Sequence, residues 1–355
     1  MVLMAGFACG SSPGTTGAAG HGGASAMAGH GGATATAGEG GASGVAGHGG
    51  AGGTAGGGAA AAGPRVSDFL GVNGFIDDPT EKLAAVGNVR EYHNWSWNDG
   101  NGATGYPGYP NNQLSFSLFS GFWDFDAYYA ALAKAGAMVF PCVEGSVDYL
   151  GNAMPPVPAG ADVKAPASYV AHASFMYQLA ARYGTQAVPT ANLKLASDQT
   201  VKTATGLLAY YENGNEPDAN WVHSDGSYLF SPEATAAMSS ADYDGDEKRL
   251  GGTFGVKNAD PQARMVLAGL AGAGASTDWL TNVTTYLDGM RTWAAAHRSG
   301  SFPADVINVH DYCFGPDPFG TVNPRPGLPP ESCGLRAALA GLVAYRDHSL
   351  PGKEI

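Results

Sequence analysis

From Pro64 onward, short apolar runs alternate with longer stretches of helical periodicity, and this constrains the fold more than anything else in the 355-residue chain. Successive strands joined by helices pair in parallel, so the pattern predicts a parallel sheet built from βα units. Six strand candidates stand out: residues 69–75 (FLGVNGF), 88–94 (NVREYHN), 137–144 (AMVFPCVE), 207–213 (LLAYYEN), 265–270 (MVLAGL) and 306–312 (VINVHDY). Helices are predicted over 124–135, 167–183, 232–242, 278–297 and 335–347. Ser231-Pro232-Glu233 makes a strong helix start, with a capping hydroxyl, a proline in the first turn and an acid near the positive end of the dipole. In 167–183, Val170, Ala173, Phe175, Met176, Leu179 and Tyr183 recur at the spacing of a buried helix face.

The chain before Pro64 is of another kind. It holds 23 of the 54 glycines and no Lys or Arg, and a nine-residue unit recurs in it: AGHGGASAM, AGHGGATAT, AGEGGASGV and AGHGGAGGT. With so little apolar surface it cannot offset the roughly 1 to 2 kcal/mol per residue that ordering a backbone costs. Residues 1–63 are therefore expected to form a flexible tether and 64–355 the folded domain. His21, His30 and His48 invite a metal reading, but one imidazole per nine flexible residues preorganises no site, and Glu39 interrupts the series. No metal and no cofactor are expected.

A formal charge of −13 disfavours nucleic acid as a partner, because phosphates must be neutralised by Lys and Arg. It is compatible with a neutral ligand such as a sugar polymer. No run of 18 or more apolar residues is present to span a membrane. The start, MVLMAGFACGSS, resembles the end of a bacterial lipoprotein signal without its basic region, which makes Cys9 a lipidation candidate and a membrane anchor through that lipid an expectation. Cys313 and Cys333 bracket a loop rich in Pro and Gly; a disulfide closing a loop of this length contributes about 3 kcal/mol, and it points to an oxidising, secreted or cell-surface location.

Six βα units fit either an open doubly wound sheet or most of an eight-stranded barrel. No GxGxxG leads from a strand into a helix, which removes support from the dinucleotide-binding version. Polar and aromatic residues cluster instead at strand ends: His93, Trp95 and Trp97 after the second, Glu144 after the third, Asn215 and Glu216 after the fourth, His310 and Tyr312 on the sixth. An active site assembled at the C-terminal mouth of a barrel has that profile. Trp95 and Trp97, with Tyr106 and Tyr109, are candidate platforms for the apolar face of a sugar ring. Glu144 is a candidate for binding a sugar hydroxyl, and Trp221 and His223 for the aglycone side. Asp242-Tyr243-Asp244-Gly245-Asp246 starts like a calcium loop, but Glu247 and Thr253 stand where glycine and glutamate are needed, so a solvated turn is expected.

With Asn215-Glu216-Pro217 ending the fourth run, and VREYHNW and VINVHDY on the second and sixth, the domain resembles the clan A retaining glycoside hydrolases, (β/α)8 barrels that include cellulases, β-mannanases and β-xylosidases. The resemblance implies an oligo- or polysaccharide substrate with β linkages, Glu216 as general acid/base and Asn215 as the partner of the sugar 2-hydroxyl. It implies that Arg90 holds the nucleophile ionised and that His310 and Tyr312 orient it or line the donor sugar site. The family's nucleophile is a glutamate at the end of the seventh strand. Here residues 351–355 (PGKEI) resemble only the start of that strand, where Glu354 would face the wrong end of the barrel. The expectation is thus an incomplete barrel, cut before strands seven and eight, with little or no turnover. The rival expectation is a non-catalytic carbohydrate-binding or surface protein on a degenerate barrel.

Overall fold

The computed structural model describes residues 3–4, 69–100, 104–117, 123–313 and 328–355. The chain divides into two units, Met1–Phe7 with Pro64–Ile355, and Ala8–Gly63. The nine-residue repeats and Cys9 lie outside the described residues.

A parallel sheet runs in strict chain order: β1 (Leu3–Met4), β2 (Leu70–Gly74), β3 (Asn88–Asn94), β4 (Met138–Glu144), β5 (Tyr210–Glu212) and β6 (Arg264–Val266). The first predicted strand is thus β2. Between them lie α1 (Thr80–Leu83), α2 (Phe125–Lys134), α3 (Val170–Tyr183), α4 (Pro232–Asp244) and α5 (Val256–Ala259), followed by α6 (Trp279–His297) and α7 (Leu335–Ser349). A doubly wound sheet needs a point where the strand order reverses. None exists among the described strands, so the sheet has the singly wound order of an α/β barrel.

Helix starts follow local chemistry. Asp124, Ser231 and Asp278 each accept a bond from the backbone amide three residues on, at Ala127, Ala234 and Thr281, and Gly245 ends α4 in the left-handed region at φ 67°. α3 is buried on almost every side, and Arg182 near its end reaches Asp126 of α2 at 2.6 Å. One core cluster joins β3 and β4 to α2, α3 and α5 through Val89, Val139, Phe125, Phe175, Tyr183 and Val256. A second lies around α4, α6 and α7, with Met238, Tyr286, Leu287 and Leu342. Each such side chain, fully buried, contributes about 1.5–3 kcal/mol.

Two predicted strands are shorter than their apolar runs. β5 covers three residues because the amides of Leu207 and Leu208 turn back to the Tyr183 carbonyl at the end of α3. Beyond β6, side chains take the amides a ladder would use: Asn213 Oδ1 accepts from Ala268 N, Glu212 Oε1 from Gly269 N, and Asp218 from the amides of Ala271, Gly272 and Ala273. The sixth run, 306–312, is correspondingly reduced to bridges at Val306 and Val309. Cys313 and Cys333 are joined by a disulfide, their Cα atoms 5.5 Å apart. No described helix is long and apolar enough to cross a membrane.

Candidate active site at the strand ends

Period-two alternation on β3 decides what reaches the site. Arg90 makes a two-pronged pair with Glu212 on β5, Nε to Oε2 at 2.6 Å and Nη2 to Oε1 at 2.8 Å. Nη2 also donates to Asn215 Oδ1 at 2.9 Å and to Cys142 Sγ at 2.9 Å. Glu212, fully buried, accepts further bonds from Asn308 Nδ2 at 2.9 Å and the Gly269 amide. A buried ion pair is tolerable when its remaining lone pairs are satisfied in this way. Arg90 therefore fixes the Asn215 amide by its oxygen, and no described group accepts from Asn215 Nδ2.

Glu216 follows with a backbone φ of 46°, a left-handed conformation that a side-chain-bearing residue rarely adopts. Its amide donates to the Gly269 carbonyl and its carbonyl accepts from the Ala219 amide, each at 3.0 Å, so the turn is held from both sides. Its carboxylate Oε1 accepts from His310 Nδ1 at 2.8 Å and from Tyr312 OH at 3.0 Å, which requires the His310 tautomer protonated on Nδ1. The pair is mostly buried, at 13% exposure for His310 and 19% for Glu216. Burial pushes the Glu216 pKa up, but the bonds from His310 and Tyr312 outweigh it and hold the carboxyl below its ordinary range. His310 reaches Glu216 because residue 269 is glycine: a Cβ there would stand 2.1 Å from His310 Nε2. Trp279 Nε1 bonds the His310 carbonyl at 2.9 Å and steadies the same segment.

Glu144 ends β4 and lines a cavity of about 180 Å³ beside the Asn215–Pro217 turn. Burial drives its pKa up to about 7; Arg90 opposes the shift, while Glu212, Glu91 and Glu216 add to it.

Other expected site residues are placed elsewhere. His93 is fully buried on the helix-facing side of β3, among Glu91, Tyr129 and Asn98 and against Phe125, which corrects its expected contact with substrate. Trp95 is corrected likewise: it is fully buried, edge-on to His172 and Tyr149, with Nε1 on Asp99. Trp97 packs against Trp123 and Phe125 at the margin of that core. Trp221 and His223 are exposed. Arg90 pairs with Glu212 and with Asn215. Glu354 bridges Val306 at the start of the sixth run and pairs with Arg264 at the start of β6, the end of the sheet opposite Glu216.

The acids of the calcium-like stretch each have their own partner: Asp242 with His172, Asp244 with Arg298, Asp246 with Arg249. Among the described residues no group of three or more His, Cys, Asp or Glu is placed to hold a metal ion. Sequence reading missed Glu212, Asn308 and Gly269. An acid on the fourth run, two strands from an arginine on the second, was the available signal for Glu212.

No protein-family model and no curated protein matches the chain. Among solved structures it is similar to a family 39 glycoside hydrolase from Bacteroides cellulosilyticus WH2, at 13% identity and TM-score 0.38, over 68% of this chain and 37% of that one. It is also similar to the endo-1,4-beta-mannanase of Rhizomucor miehei, at 12% identity and TM-score 0.42, over 75% of this chain and 68% of that one. The beta-glucosidase of Pyrococcus furiosus follows at 10% identity and TM-score 0.33, over 69% and 54%. The chain thus spans well under two thirds of the length of the family 39 enzyme. At such identities the reaction has to be read from side chains.

Proposed function

We propose that the chain is a glycoside hydrolase acting on β-linked saccharides, with Glu216 as its acid/base. The observation that carries this is the fixed turn at Asn215-Glu216: a carboxylate in a strained backbone conformation, clasped by His310 and Tyr312, beside an amide that Arg90 orients. Acid/base work on a glycosidic bond needs a carboxyl that cycles between protonated and ionised forms in a partly dry site. Asn215 Nδ2 is the donor for the sugar 2-hydroxyl in this reading. The retaining route further needs a second carboxylate about 5–5.5 Å from the first. Glu354 does not fill that role, because it lies at the opposite end of the strands. We propose further that the protein is exported, to the cell surface or beyond, which the Cys313–Cys333 disulfide supports.

Glu216→Gln preserves shape and removes the titrating oxygen. Hydrolysis of an alkyl β-glycoside, a poor leaving group, is expected to fall by about 10²–10⁴-fold while binding measured by calorimetry is retained. Equal hydrolysis by the two proteins would overturn the assignment. Saccharide binding with no turnover, in a protein that also supplies the second carboxylate, would favour the non-catalytic carbohydrate-binding reading.

A further inference from the structure

Glu144 brings a second carboxyl group to the strand ends. It faces the cavity beside the acid turn, and among the described residues nothing hydrogen-bonds its carboxyl. Most of the remaining wall is apolar, from Val143, Met154, Pro156, Leu229, Phe230 and Met238; of its polar side chains, Asn213 is bonded to Ser239 and the Ala268 amide and Thr235 to Tyr286, which leaves Asn215. Beyond the one hydroxyl that Asn215 Nδ2 can serve, sugar hydroxyls are poor occupants of such a space, because each one that leaves water without a new partner costs roughly 1–3 kcal/mol. An acetyl group fits better: its methyl needs no partner, and its carbonyl oxygen needs one donor.

We propose that this cavity is a subsite for an acetyl substituent carried by the bound saccharide, with the Glu144 carboxyl donating its O–H to the acetyl carbonyl. The inference rests on the saccharide reading above and narrows it to acetylated substrates. The protonation it requires agrees with the surroundings. Burial, with Glu212, Glu91 and Glu216, raises the Glu144 pKa to about 7 against the pull of Arg90. Glu144 in turn helps to raise the pKa of Tyr92 on β3 and of Cys142 on β4, the other titratable groups that face it. Below that pH Glu144 is a donor; above it, a carboxylate would repel the carbonyl oxygen.

The test is calorimetric binding of partly O-acetylated xylo- and manno-oligosaccharides, beside the same preparations after saponification. If only the protonated form binds the acetyl group, Kd for the acetylated ligand should rise about 30-fold between about pH 5.5 and about pH 8.5. The saponified ligand should lack that dependence. Glu144→Gln retains an N–H donor and cannot ionise, so its affinity for the acetylated ligand should stay level across the range; Glu144→Ala should bind both forms alike. Equal wild-type affinity for acetylated and saponified ligands, or the same pH dependence in Glu144→Gln, overturns the inference and leaves the glycosidase reading standing. Failure to bind either form removes the saccharide reading and this inference with it.

Discussion

Glu216 carries backbone strain of order 1–3 kcal/mol at its left-handed φ. It stays there because the Gly269 carbonyl, the Ala219 amide and the clasp of His310 and Tyr312 together overdetermine its place. The clasp also sets the pH range of the proposed chemistry. A general acid must carry its proton, and Glu216 is held below the ordinary carboxyl range, so kcat/KM for a poor leaving group should fall as pH rises through that depressed value. Tyr312→Phe deletes one of the two bonds that stabilise the charged form. Its expected effect is to raise the Glu216 pKa and move the alkaline limb of the profile to higher pH. An unmoved limb would show that Tyr312 does not govern the protonation of Glu216.

At the scale of elements, the segment after β3 depends on one buried acid. Asp99, 1% exposed, accepts from Trp95 Nε1 at 3.1 Å, Tyr106 OH at 2.6 Å, Asn112 Nδ2 at 3.1 Å and Tyr149 OH at 2.8 Å. Asp99→Ala would strand four donors, and the expected loss is about 3 kcal/mol in urea unfolding, with Asp99→Asn losing less. A loss under about 0.5 kcal/mol, the usual range for a surface substitution, would mean that the knot does not hold the segment. This knot also explains what the sequence hid. The run YHNWSWNDGNGATGYPGYPNNQ is polar and glycine-rich, so its aromatics looked like ligand platforms; one buried aspartate pulls Trp95, Tyr106 and Tyr149 together instead. His93 was open to correction by period two, since Arg90 points to Glu212 and a residue three along must lie on the other face. Helix starts were legible because capping is local, as at Ser231-Pro232. The ends of β5 and β6 were not, because Glu212, Asn213 and Asp218 claim backbone amides from distant parts of the chain.

For the molecule as a whole, stability against pH is set by two opposed sets of carboxyls. Burial raises the pKa of Asp126 and Asp305, but Arg182 and Lys202 for the first, and Lys257 for the second, leave both below the ordinary 3.8. The stability these contribute is present above that value and is lost as pH falls through their depressed folded values. Asp99 and Asp218, raised by burial, have the opposite sign, and so does Glu144. Its folded value of about 7 exceeds the ordinary 4.5, so its contribution is complete below 4.5 and disappears as pH rises toward 7. The fold should therefore be most stable in mildly acidic solution. Glu144→Gln removes only the Glu144 part of this: in denaturant unfolding it should match the wild type near pH 4 and exceed it by about 3 kcal/mol near pH 8, the value of a shift of this size. Because no ligand enters this comparison, it examines the cavity wall independently of catalysis. Equal stability of the two proteins near pH 8 would mean that water reaches the Glu144 carboxyl freely, and an acetyl group would then find no neutral donor there.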